Sequence, residues 1–225
     1  MSTLNSFFSI CALCGEESKQ TALASVSTFA SPDLDGRPAE MLRSTMRYWI
    51  HECPHCGYVN RQVDDPCNIQ KDALFAEYST INASNSKPLA NIFVKYAYLL
   101  KNTGASGQAV LQLLRAAWIS DDENDQLGAF HWRDIAIELA DECLLETGHP
   151  QWGDLLCMKA DMLRRIGEYS QVLLILPPKR NPLSRIQTQL LTFQKELAEK
   201  QDHDVHRMEE ITGYDGDRGS MMFGV

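Results

Sequence analysis

Cys11-Ala-Leu-Cys14-Gly15 and, further along, Cys53-Pro-His-Cys56-Gly57 are two copies of one short pattern, C-x-x-C-G. Their reading decides the first part of the fold. Two thiolates separated by two residues reach the same ion at about 2.3 Å if the chain turns tightly between them. A glycine after the second cysteine permits the left-handed backbone that lets amide hydrogens point at the sulfurs. Two such knuckles supply four soft ligands, enough to close a tetrahedron around Zn2+. Cys11, Cys14, Cys53 and Cys56 are therefore the expected ligands of a structural zinc site. The interval from Gly15 to Glu52 is longer than in the commonest fingers and suits a zinc ribbon with a long excursion between knuckles. A lone C-x-x-C pair could instead be a redox centre, but that chemistry needs a strand-to-helix context not found here.

One resemblance inside the second knuckle misleads. His51-Glu52-Cys53-Pro54-His55 matches H-E-x-x-H, in which two histidines on one helical face bind zinc beside a glutamate base. Pro54 breaks the helix that this chemistry requires, and the cysteines already claim the ion. Cys67 is spare, and Cys143 and Cys157 fall in helical patterns as small core residues.

The sequence around the knuckles is poor in helical period. Thr21 to Phe29 is rich in β-branched and small residues, Ser31-Pro-Asp-Leu-Asp-Gly-Arg-Pro38 is turn-rich, and Tyr48-Trp-Ile50 and Tyr58-Val59 flank the second pair. Short strands around metal-bearing turns are expected over residues 1–65. Asp33, Asp35 and Arg37 in the Ser31–Pro38 loop are either a recognition loop or a turn whose aspartates bond their own backbone; the turn is the simpler reading.

From Pro66 the period becomes helical. Leu89, Ile92, Phe93, Tyr96, Leu99 and Leu100 form one stripe, with Pro88 and Gly104 as punctuation. Val110, Leu113, Leu114, Ala117 and Trp118 mark a second helix, which stops near Asp121–Asp125, and that acidic run suits the start of the next. Trp132, Ile135, Ala136, Leu139, Ala140 and Cys143 mark a third, before Gly148-His-Pro150. A fourth runs from Leu155 to Ile166 and ends at Gly167. A short one follows from Tyr169 to Leu176, closed by Pro177-Pro178. Asn181-Pro182 is expected to cap the last helix, which turns Ile186, Leu190, Phe193 and Leu197 inward. The helical domain thus spans 66–212, and the glycine-rich 213–225 is expected to be a disordered tail. Trp118, Trp132 and Trp152 are expected to pack, not to stack on a ligand.

Leu163-Arg-Arg-Ile-Gly-Glu-Tyr169, with Ala160 before and Val172 after, resembles the tight turn of a tetratricopeptide repeat, and Tyr98-Leu-Leu-Lys-Asn-Thr-Gly104 is a weaker copy. The glycine spacing is uneven, so an irregular helical bundle is the alternative. The fold class is mainly α, with a small zinc-ribbon-like β head followed by a tetratricopeptide-like helical-hairpin domain.

Composition narrows the partners. The chain has 225 residues, 44% of them hydrophobic, and a formal net charge of −9. That acidity disfavours broad nucleic-acid binding. Within residues 1–63 the cations Lys19, Arg37, Arg43, Arg47 and Arg61 are outnumbered by acids, and a zinc held by four thiolates adds negative charge. A nucleic-acid-associated regulator that reads through the ribbon remains the alternative, and it needs those arginines on one face. No apolar run is long enough to span a bilayer, and residues 1–10 lack the basic and apolar blocks of a secretory signal. Seven cysteines in such a chain read as thiols and ligands in a reducing cytoplasm. His203 and His206, set beside Asp202 and Asp204 one turn apart on the last helix, could bind a second metal, though a solvated helix end is the plainer reading. Arg164 and Arg165 are read as exposed partner contacts or as complements to the helix dipole. No phosphate-binding loop, dinucleotide fingerprint or nucleophile elbow is present, so no catalytic residue is named and no enzyme is expected.

The order C-x-x-C-G, the Ser31–Pro38 loop, Tyr48-Trp49 and Cys53-Pro-His-Cys56-Gly-Tyr58 resembles a group of bacterial proteins known only as a domain of unknown function. Leu114-Arg-Ala-Ala-Trp118 and Leu163-Arg-Arg-Ile-Gly-Glu168 carry the resemblance into the helical part, so that it covers Cys11 to about Ile211. It implies a cytoplasmic zinc-headed helical protein and no assigned activity. The expected function is a non-catalytic adaptor that binds another protein or peptide through its helices.

Overall fold

The computed structural model describes residues 2–84, 87–145, 151–177 and 182–211. The chain is mainly α-helical with a small β head. It begins with β1 (Thr3–Ile10), β2 (Glu17–Ser25), β3 (His51–Glu52) and β4 (Val59–Asn60). Helices α1 (Lys71–Ser84), α2 (Pro88–Asn102), α3 (Ser106–Asp122), α4 (Gln126–Leu145), α5 (Trp152–Arg165), α6 (Tyr169–Leu174) and α7 (Arg185–Glu199) follow. Backbone contacts gather these into two compact units: residues 1–29 with 40–129, and residues 30–39 with 130–225.

In the first unit β1 pairs antiparallel with β2, and β3 with β4. Each pair is a hairpin whose connection is one C-x-x-C-G knuckle. α1 buries Leu74, Tyr78 and Ile81, spaced as one helical face. The α2 stripe lies slightly off the expected one. Ala90, Phe93, Val94, Ala97 and Leu100 are buried, whereas Leu89, Ile92 and Tyr96 are half-buried. Small residues cause the offset: Ala90 and Ala97 on α2, with Ala109, Ala116 and Ala117 on α3, let the two helices lie close along their length. α3 is buried almost all round from Ala109 to Ser120, as the central helix of a unit must be.

The helix ends repeat one device. After α5, Gly167 adopts φ +85°, its N–H reaches the Arg164 carbonyl at 3.0 Å, and the Glu168 N–H reaches that of Leu163 at 2.8 Å. After α2, Gly104, Lys101, Ala105 and Leu100 repeat the arrangement, so the two turns likened to each other in the sequence share one geometry, a Schellman motif. α3 and α7 end in the same way without glycine, on Asn124 (φ +57°) and Gln201 (φ +56°). Asp125 then caps α4, its Oδ1 accepting the Gly128 N–H at 3.0 Å.

In the second unit the α5 and α7 faces enclose Leu34, Cys157, Leu190, Leu197, Met208 and Ile211. Leu34 comes from the Ser31–Pro38 loop. The loop bonds itself as a turn, with Asp35 Oδ1 accepting the Arg37 N–H at 3.1 Å, and it pairs with the segment after α7 through Leu34 N to His206 O and Met208 N to Pro32 O. Burying Leu34 this way is worth about 1.5–3 kcal/mol. α7 opens later than expected. Its cap is Ser184, in a reciprocal capping box with Gln187, and Pro182 lies outside the helix. The expected stops at Gly148–Pro150 and Pro178, the residue Asn181 and the tail 213–225 lie outside the described residues.

Candidate metal centre

The four cysteines converge. The Sγ atoms of Cys11 and Cys56 are 3.7 Å apart, as are those of Cys14 and Cys53, and all four lie within 4.8 Å of one another. A disulfide would bring sulfurs to about 2.05 Å. A tetrahedral ion with 2.3 Å bonds sets them about 3.8 Å apart. The close pairs therefore have the spacing of ligands, and they join one knuckle to the other. All seven cysteines are free thiols.

The knuckles are near copies. In the first, Cys11 N bonds Glu16 O at 3.0 Å, Gly15 N bonds Cys11 O at 2.9 Å, and Gly15 has φ +77°. In the second, Cys53 N bonds Tyr58 O at 2.8 Å, Gly57 N bonds Cys53 O at 2.8 Å, and Gly57 has φ +76°. A side chain at either glycine would be strained whatever space surrounds it. The Leu13 N–H approaches Cys11 Sγ at 3.4 Å, as the glycine-relaxed turn requires. Ala12 N bonds Val63 O, which ties the first knuckle to the chain leaving the second.

Burial pushes the Cys11 and Cys56 thiols up, whereas the backbone N–H of Glu16 pulls Cys14 down. Cys11 and Cys56, shaded from water, resist ionising on their own. A divalent cation among them removes that resistance, because it takes the thiolates as ligands. Among the described residues these four form the one cluster of three or more potential ligands close enough to share an ion.

The head is braced by Lys95, which the sequence did not single out, and by Glu52 and Tyr58, whose bracing roles it did not show. Lys95, buried on α2, donates to Glu52 Oε1 at 2.7 Å and lies over the Tyr78 ring, 5.4 Å from its centroid. Glu52 immediately precedes Cys53. A lysine and an asparagine one turn apart on an otherwise apolar helical face were the available signal. Tyr58, fully buried, donates to the Asp65 carbonyl at 2.7 Å and accepts from Asn60 Nδ2 at 2.7 Å, which closes the loop after β4.

The remaining candidates separate. His51 and Glu52 lie on β3 and His55 in the knuckle, so no helix presents H-E-x-x-H; His51 Nε2 meets the Thr21 carbonyl and His55 Nε2 that of Glu17, each at 3.2 Å. His203 and His206 are not on α7, which ends at Glu199 because Gln201 turns left-handed. His206 has both ring nitrogens committed, to Glu210 at 2.7 Å and Asp202 at 3.1 Å, and His203 pairs with the Tyr169 hydroxyl at 3.3 Å. Arg164 is no surface residue: it is fully buried and holds Gln194, Asp161 and the carbonyls of Asp202 and Asp204. Of the arginines a nucleic-acid reader needs, Arg37 is buried in the second unit, and Arg43 is paired with Asp122.

The chain matches no family model, no curated protein and no solved structure. No helix among the described residues is long and apolar enough to cross a membrane.

Proposed function

We propose that the protein is a non-catalytic zinc protein of the cytoplasm. Its four thiolates hold one structural ion, and its helices dock another protein. The observation that carries the metal is the 3.7 Å spacing of sulfurs across the two knuckles, that of ligands on one tetrahedral ion. Zinc is favoured among soft-ligand metals because four thiolates in a tetrahedron suit it and leave no open position. The docking role draws support from α6 and the residues after it. Leu174 and Leu176 are 77% and 78% exposed, next to the half-exposed Leu173. Clustered apolar side chains left in water mark interaction sites. A nucleic-acid role draws less support, since the chain is acidic and Arg37 and Arg43 are engaged. The likeness to a bacterial family of unknown function rests on the quoted motifs alone.

The test is elemental analysis of the purified chain. It should carry one zinc per molecule, and Cys53→Ala should lose it together with the order of both hairpins. Protein that binds no zinc and keeps its hairpins ordered after exhaustive chelation refutes the metal reading. For docking, a partner captured by the native chain should be lost from Leu174→Glu/Leu176→Glu; equal capture by both removes α6 from the proposal.

A further inference from the structure

β1 has one edge that no strand among the described residues covers. It reads Thr-Leu-Asn-Ser-Phe-Phe-Ser-Ile over Thr3–Ile10, with no charged residue and no proline. Only its β2 side has a strand partner among the described residues. Side chains alternate across the ribbon, so Leu4, Ser6, Phe8 and Ile10 share one side. That side faces water, with Phe8 69% and Ile10 59% exposed, while Ser9, Ser18 and Gln20 on the other are buried. Proteins usually guard an open edge with lysine, proline or a bulge within the strand, because its unpaired N–H and C=O groups accept any strand that fits. β1 has only an irregularity at its first step, between Thr3 and Leu4.

We infer that this edge binds β1 of a second copy of the chain. The two strands run antiparallel about a two-fold axis at Phe7, so that two hairpins become one four-stranded sheet in the order β2-β1-β1-β2. The strand's own pattern, uncharged and self-complementary, selects this occupant. The chain carries −9, so two copies repel wherever acidic surfaces meet, whereas β1 brings no charge to the contact. No charged side chain on β1 recruits a partner of opposite sign. The alternation also closes on itself. With the axis perpendicular to the sheet, opposed residues must share a side. Centred on Phe7, Leu4 meets Ile10 of the other copy and Ser6 meets Phe8, so that apolar faces apolar and small faces large. Centring on Ser6 would instead set Ile10 opposite Ser2, beyond the strand. An eight-residue edge buries less than the roughly 800 Å² per partner of a standard interface, so the dimer is weak. This inference goes beyond the zinc and docking roles and depends on neither partner.

The test uses the full zinc-loaded chain in sedimentation equilibrium, from about 1 µM to about 1 mM. A monomer–dimer equilibrium is expected, tightened by added salt as the repulsion between acidic copies is screened. Ser6→Lys, on the exposed side opposite Thr21, should leave the hairpin folded and weaken the dimer by about tenfold or more. Amide exchange along β1 should slow as concentration rises. A monomer across the whole range overturns the inference. So does a dimer that Ser6→Lys leaves unchanged, or exchange in β1 that ignores concentration. Zinc measured in the same samples keeps the readings apart: a metal-loaded monomer refutes only the dimer, and a metal-free dimer refutes only the zinc.

Discussion

Arg164→Ala should destabilise the second unit by about 3–5 kcal/mol, the cost of breaking a buried charge pair from one side. The structure shows why the upper part of that range applies. The guanidinium donates to Gln194 Oε1 at 2.7 Å, to the carbonyls of Asp202 and Asp204 at 2.9 and 2.8 Å, and to Asp161 Oδ1 at 2.8 Å. Truncation leaves Asp161, with a side chain 3% exposed, holding a charge with Gln194 Nε2 as its hydrogen-bond donor and the Arg165 charge in place of the direct ion pair. It also frees the segment after α7 whose next residues, Met208 and Ile211, pack beside Leu34. A loss of that size is a large share of the 5–15 kcal/mol typical of a whole domain. Urea unfolding followed through Trp132 and Trp152, both in this unit, measures it. The pH dependence is the stricter check. In the native chain burial alone would raise the Asp161 carboxyl, but Arg164 and Arg165 overcome it and hold it below its usual value. Its contribution is therefore complete above the unfolded carboxyl range and is lost as pH falls through the lowered folded value. In Arg164→Ala the Arg165 charge and the Gln194 amide remain, but the strongest counter-charge is gone, so the folded carboxyl rises from its native value and the penalty fades as pH drops through that range. The difference between the two proteins should thus be large at pH 7 and shrink below about pH 4. A difference under about 1 kcal/mol at pH 7, the size of a surface pair, or one that does not change with pH, would refute the reasoning.

Two further substitutions test the helix ends. A Cβ on Gly153 would lie 2.6–2.8 Å from the Gln187 amide, which holds both the α7 capping box and Asp154; Gly153→Ala should cost about 0.5–1 kcal/mol in the native chain but stabilise a Gln187→Ala background, and the same sign in both would exclude the clash as the cause. Gln201→Gly should raise the urea midpoint by relieving the left-handed turn after α7, worth about 0.5–1 kcal/mol, while Asn124→Gly gains less because asparagine tolerates that conformation; equal or reversed effects would show that backbone strain is not what these positions carry.

The cysteine cluster was legible because its signal is local. Each knuckle spells its own turn, and a shared ion is the simplest reason for two such turns in one segment. The helices from Pro88 to Arg165 were legible for a similar reason: a 3.6-residue period survives wherever one face is buried. Long-range effects did not show. Leu34 sits in an eight-residue stretch of turn-formers, yet it fills a core made by α5 and α7, more than a hundred residues later. Arg164, in a pair of arginines at a helix end, looks like solvated charge until the carbonyls of Asp202 and Asp204 are seen to fold back over it. Asn181-Pro182 reads well as a helix start, but Ser184 with Gln187 three residues on satisfies two backbone donors at once and wins. The histidines moved off the helix because Gln201, a residue with no turn signature, takes the left-handed position.

The same contrast bears on what a metal in the cysteine cluster would do. In sequence the chain divides near Asp65, where strand-like residues give way to helical period. By compactness, α1 to α3 belong with the cysteine hairpins. One bond that links them is Lys95 to Glu52. Glu52 is on β3, one residue from Cys53, so the turn that sets a metal ligand also sets this carboxylate. Lys95 is 7% exposed at its side chain, and a cation so placed is costly unless its partner is held in register. If the second knuckle loses its shape, Glu52 moves and α2 is left with a buried lysine lacking its counter-ion. An ion held by the four thiolates would therefore act beyond the two hairpins: by fixing the second knuckle it would fix the carboxylate that makes Lys95 tolerable on the buried face of α2.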